Sequence, residues 1–252
     1  MEENGMDNWG ARTLSELPQH ISGYNKDRHK FTSMGMIKTG YHRWGFVVYR
    51  CTYDDDDLWN RYLAQLKKNL YDELVEGRRA ELLEQYLDWV VIEDRDNLQN
   101  ASKADVRKHF NQWVSQHSAE IARYPLAIDL PRFKHCLYVD QKCLDTLEPF
   151  QKSEGDPALQ GSRLFKYTRE PMVLAIVDRL WTPDRRDGNV TMNDRGYPPI
   201  EGCDRKYVGW EYANASCMAS YYNELHGSDL DDYTDYLRPP AISPGGFKSM
   251  PE

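Results

Sequence analysis

Four largely apolar runs, beginning at Phe46, Trp89, Phe133 and Met172, restrict what this chain can fold into more than any other feature. They extend to Tyr49, Ile92, Val139 and Val177, and β-branched and aromatic side chains dominate them. None alternates polar with apolar residues. Each therefore predicts a short strand covered on both faces. The stretches between them carry a helical period. Trp59, Tyr62, Leu63, Leu66, Leu70 and Leu74 recur at steps of three and four, and Val106, Phe110, Trp113 and Val114 repeat the pattern. Ser102 and Asp105 make a capping-box variant at the start of the second of these helices, and His117 suits its carbonyl end. Val208–Tyr212 reads as a short edge strand. A last helix runs from about Asn214 to His226, with Gly227 as its stop.

Strands alternating with helices predict one layered domain over 41–226. A mobile arm, 1–40, precedes it and ends in a docking segment near Met34 to Ile37. A disordered acidic, Pro- and Gly-containing tail, 227–252, follows. The third and fourth strands are joined by only a short helix, so the expected class is α+β. This is a mixed four- to five-stranded sheet flanked by helices, a ferredoxin-like sandwich with additions. A doubly wound α/β sheet is the alternative.

Charge narrows the partners. The formal net charge is −8 and no basic run occurs, since Asp184 and Asp187 flank the densest pair, Arg185 and Arg186. Binding to nucleic acid needs a basic face, so none is expected. No stretch approaches the roughly 20 apolar residues of a membrane span. The opening MEENGMDNWG lacks the basic start and apolar core of a signal peptide, and five widely spaced cysteines make no disulfide framework. The expected location is cytoplasmic.

The strings WGFVVYRCTY, VIEDRDNLQNASKADVRKHFNQW, CLYVDQKCLD, GYPPIEGC and VGWEY resemble those of a family of hypothetical proteins from filamentous ascomycete fungi. The likeness spans most of 41–226. It implies a fungal, cytoplasmic setting and brings no catalytic residue with it.

Chemistry has to be sought at the strand ends. The Asp54–Asp57 run invites a divalent cation, but it stands where a helix begins and is better read as N-capping. His135, Cys136 and Cys143 lack the paired spacing of a zinc site, so no metal is expected. The first strand leads into CTYDDDD instead of a glycine-rich phosphate loop, and no nucleophile elbow or metalloprotease motif occurs, so no cofactor is expected. Asp105 and His109 read as an ordinary solvated helix pair. The strands themselves deliver Arg50 and Tyr53, Glu93, Asp94 and Arg95, Asp140, then Asp178 and Arg179. In a parallel sheet these ends converge on one rim, where open α/β sheets bind ligands. In a mixed sheet they divide between two edges. On such a rim Asp94, Asp140 or Asp178 would act as the base. Arg50, Tyr53, Arg95 and Arg179 would hold the ligand, with Arg95 or Arg179 on an anion. The expected function is a non-catalytic intracellular binding protein whose partner is an unknown protein or small molecule. The alternative is a cofactor-free isomerase, lyase or hydrolase acting on a small metabolite in fungal secondary metabolism.

Overall fold

A computed structural model describes residues 10–18, 27–156, 169–182, 195–231, 236–244, 246 and 248–251. The longer helices are α1 (Lys30–Thr39), α2 (Asp56–Glu76), α3 (Lys103–Gln116), α4 (Leu147–Glu154) and α5 (Met218–Glu224). The strands are β1 (Val47–Arg50), β2 (Val90–Ile92), β3 (His135–Val139), β4 (Val173–Asp178), β5 (Trp210–Asn214) and β6 (Ile242–Ser243). One-turn helices fill several of the connections, among them Arg95–Leu98 and Gln141–Leu144.

The six strands form one mixed sheet in the order β2-β1-β3-β4-β5-β6. β1 runs parallel to both β2 and β3, β4 runs antiparallel to β3 and β5, and β6 is parallel to β5. The mixed sheet is therefore larger than four or five strands. It is also unlike a ferredoxin-like sandwich, whose helices share one face, because here both faces are covered. On one, the Tyr49 ring packs on His109 and Phe110 of α3, with centroids 5.4 and 6.2 Å away. On the other, Phe46 meets Tyr222 of α5 at 5.0 Å. That double cover is why every residue of β1, β3 and β4 is buried and why the runs carry no polar alternation. β4 alone runs against the other five strands, so the sheet is mixed but mostly parallel and covered on both faces, closer to the doubly wound alternative.

α2 folds as its period requires. Asp55 is the N-cap, accepting the Leu58 N–H at 2.8 Å, and Tyr62, Leu66, Leu70 and Leu74 are buried. Each such side chain contributes about 1.5–3 kcal/mol. The Tyr62 hydroxyl donates to the Val173 carbonyl at 2.6 Å, fastening α2 to the start of β4. α3 opens with the full Ser102–Asp105 capping box and ends at His117.

Several boundaries move. The third run begins as a helical turn, Pro131–Lys134, because Pro131 suits the first turn of a helix, and the strand starts only at His135. The fifth strand lies inside the sheet, between β4 and β6, and is no edge. Residues 30–39, assigned to the arm, form α1, which buries Met36 in the expected docking segment. Part of the tail is ordered too: β6 pairs Tyr212↔Ile242 and Ala213↔Ser243, and Tyr236 and Met250 are buried. Residues 183–194, which include Asp184–Asp187, lie outside the described residues.

Candidate functional site

The direction of β4 divides the strand-end residues. β1, β2 and β3 deliver Arg50, Tyr53, Asp94, Arg95 and Asp140 to one end of the sheet, whereas antiparallel β4 carries Asp178 and Arg179 to the other, where Asp178 pairs with His135.

At the first end the polar groups hold the fold. Arg50 is buried and ion-pairs with Asp56 and, at 3.5 Å, with Glu93. Its Nε donates to the Thr52 carbonyl at 2.8 Å, and its guanidinium lies over the rings of Tyr53 and Trp59 at 4.5 and 5.2 Å. The Trp59 indole N–H donates to Glu93 as well. The Tyr53 hydroxyl accepts the Asp94 N–H at 2.8 Å. Asp94 and Asp140 are N-caps of the one-turn helices that follow β2 and β3, accepting Asn97 N–H at 3.3 Å and Cys143 N–H at 3.0 Å. Arg95 is exposed.

At the second end Asp178 is buried, accepting the Tyr207 hydroxyl at 3.0 Å and the Leu180 N–H at 2.8 Å. Arg107 reaches across from α3 to the Asp178 and Gly209 carbonyls at 2.7 and 3.0 Å and stacks on Trp181. Gly209 takes φ +79, and a Cβ there would come within 2.4 Å of Trp181 and 2.8 Å of Arg107, so only glycine fits beneath that stack. Arg179 donates to the Phe133 carbonyl at 2.6 Å. Burial drives the His135 imidazole down to about 4, keeping it neutral. Burial also raises the Cys136 thiol well above its ordinary range, which leaves it unreactive.

Open space lies elsewhere. A cavity of about 370 Å³ is bounded by α2, α4, the chain entering β4 and the chain leaving β5. Asn69, Asp72, Glu73 and Glu76 project from α2. Facing them are Glu154, the Arg169–Glu170 pair and the Asn214–Cys217 turn. Five carboxylates stand against one guanidinium in this lining. Local pairing softens the imbalance. Lys68 holds Asp72 at 2.6 Å, Arg169 holds Glu154 at 3.1 Å while covering the Phe150 ring at 3.8 Å, and Lys248 holds Glu170 at 2.6 Å. Glu73 caps α5 from outside, accepting the Ala219 and Ser220 N–H groups at 2.8 and 3.0 Å. A second cavity, about 380 Å³, shares Glu170 and is lined more by apolar groups, including Val173, Ile242 and Met250.

None of these lining residues was a strand-end candidate. One signal was present: Gln65 and Asn69 sit four apart beside the apolar stripe of α2, are buried, and hydrogen-bond to each other at 2.8 Å. Buried polar side chains on a helix face need partners, and of this pair Asn69 lines the cavity. The Arg169 and Asn214 sides come from distant sequence and carry no such signal.

Lys103 sits in an aromatic cage, its ammonium 4.4, 4.2 and 5.8 Å from the ring centres of Tyr138, Trp210 and Tyr212. Among the described residues no three His, Cys, Asp or Glu side chains gather as a metal site, and no helix is long and apolar enough to cross a membrane. No family model, curated protein or solved structure matches this chain.

Proposed function

We propose that the chain is a non-catalytic binding protein that takes a small amine-bearing ligand in the cavity between α2, α4 and the Asn214–Cys217 turn. The gathering of five carboxylates on one cavity carries the proposal, a ligand ammonium there sharing them with Lys68, Arg28, Arg169 and Lys248. A ligand ammonium gains from each acidic side chain at partly buried range, and Asn69, Asn214 and Ser216 add polar lining beside them. The acid–base alternative has less behind it. Asp94 and Asp140 each hold a helix N-terminus, and Asp178 stands at the opposite end of the sheet. A general base must face its substrate's proton, and these three share no common space.

Isothermal titration with spermidine as the probe tests this. Binding is expected to weaken at least tenfold in the double variant Asp72→Asn/Glu76→Gln and to fall with added salt, while Asp94→Asn leaves it unchanged. Heat of binding that is absent, or indifferent to the double variant, would overturn the proposal.

A further inference from the structure

Besides the buried Met36 and its packing on the Pro125–Asp129 turn, α1 meets the body at two histidines, each seated on a glycine. His226, just beyond α5, packs on Gly35 in the middle of α1: a Cβ at Gly35 would lie 2.3 Å from its Cε1. His29, the N-cap residue of α1, packs on Gly77 at the end of α2, where a Cβ would lie 2.8 Å from its Nε2. Neither histidine side chain caps anything. The N-terminus of α1 is capped instead by Asn223 of α5, whose Oδ1 accepts the Phe31 and Thr32 N–H groups at 2.8 and 3.2 Å. The His29 ring is buried beside the Ala219 backbone, and the Nε2 of His226 is buried without a hydrogen-bond partner, as are the hydroxyls of Thr32 and Ser33 on α1.

The charges around each ring leave no place for a proton. His29 adjoins Asp27, but that carboxylate is committed to Arg79 at 2.7 Å and to the His29 backbone N–H at 2.9 Å. Asp27 and Arg79 together are neutral, so a proton on His29 leaves one uncompensated positive charge in a buried cluster. Arg28, paired with Glu76 at 3.6 Å, stands at the surface beside it, and Glu73 of α2 is taken up by the start of α5. His226 adjoins the Tyr222 ring at 5.4 Å and faces Lys134, a further cation, which is itself joined to Asp229.

We propose that α1 is a proton-released clamp, docked on α5 and the end of α2 while His29 and His226 are neutral and detached when they take up protons. Burial lowers the affinity of both rings for a proton, to about 4 for His226 with Lys134 adding to the effect, and in the same direction for His29 against the opposing pull of Asp27 and of the Ala219 backbone. A released histidine titrates near 6.5. Docking is therefore complete above about pH 6.5 and is lost progressively as the pH falls toward 4. At pH 5 the linkage through His226 alone shifts the opening equilibrium on the order of thirtyfold.

Hydrogen–deuterium exchange on the full chain, corrected for intrinsic rates, tests this at pH 7.5 and 5.0. Protection over 30–39 is expected to drop at least tenfold at pH 5.0 and to lie below that over β4, 173–178, at both pH values, because β4 opens only with the whole fold. Protection over 30–39 that equals that over 173–178 at pH 5.0, or that does not change with pH, would overturn the clamp. The double variant His29→Phe/His226→Phe keeps an aromatic ring on each glycine and removes the titration. Its α1 should keep equal protection at both pH values, and an acid loss as large as the wild type's would also overturn the proposal. Should the variant fail to fold, nuclear magnetic resonance titration of the wild-type rings decides. Opening of α1 must track protonation of His226, and opening that precedes or ignores it rejects the clamp.

Discussion

At the scale of single residues, carboxylates that look chemical turn out to be mechanical. Asp55, Asp94 and Asp140 each follow a strand or its extension, and each accepts the first free N–H groups of a helix. An N-cap and a general base respond differently to substitution. Asp140→Asn keeps a good cap and should leave stability within about 0.5 kcal/mol, whereas Asp140→Ala should cost about 1 kcal/mol, as read by urea unfolding. Near-equal losses from the two would contradict the capping role. The buried Asp27–Arg79 pair behaves otherwise, with both side chains almost wholly inaccessible. Arg79→Met leaves a bare carboxylate in the interior and should cost about 3–5 kcal/mol, seen in the same measurement. A loss under about 1 kcal/mol would mean that Asp27 finds another partner.

At the scale of elements, α3 shows how local and long-range forces combine. Its capping box was legible in Ser102-Lys-Ala-Asp105, and its buried stripe in Val106, Phe110 and Trp113. Ser102→Ala should lower stability by about 1 kcal/mol. What no local pattern disclosed is the caged ammonium of Lys103, because its three rings come from β3 and β5. Lys103→Ala removes both the cation–π contacts and the packed stem, and should cost about 2 kcal/mol in thermal or urea unfolding. The same contrast explains the strands. Apolar runs announced β1 to β4, since burial on both faces is written into composition. The register and the reversal of β4 depend on pairings between distant segments, and these decide which strand ends share a rim. α1 and β6 were hidden for a related reason. Each is short, and each is stabilised by a partner elsewhere in the chain, Asn223 for α1 and β5 for β6.

At the scale of the whole molecule, the buried histidines make stability depend on pH. His135 and His226 are both held neutral by burial, down to about 4, against about 6.5 when unfolded. Because the folded values are depressed, the unfolded chain takes up more protons in that window. Stability is full above about pH 6.5 and declines toward pH 4, by on the order of 2 kcal/mol per histidine at pH 5. Urea midpoints at pH 7.5 and 5.0 measure this, and His135→Phe should flatten part of the difference. The candidate site belongs to this scale as well. α2, α4, the entry to β4 and the exit from β5 each contribute one wall of the cavity, so its acidic lining exists only once the sheet has assembled.

The most direct test is a map of amide chemical shifts during a spermidine titration. The proposed function requires that the largest changes fall on residues 69–76 and 214–217, with 93–95, 140 and 178 unmoved. Shifts centred on Asp94 and Asp140 instead would return the chemistry to the strand ends and contradict the binding cavity.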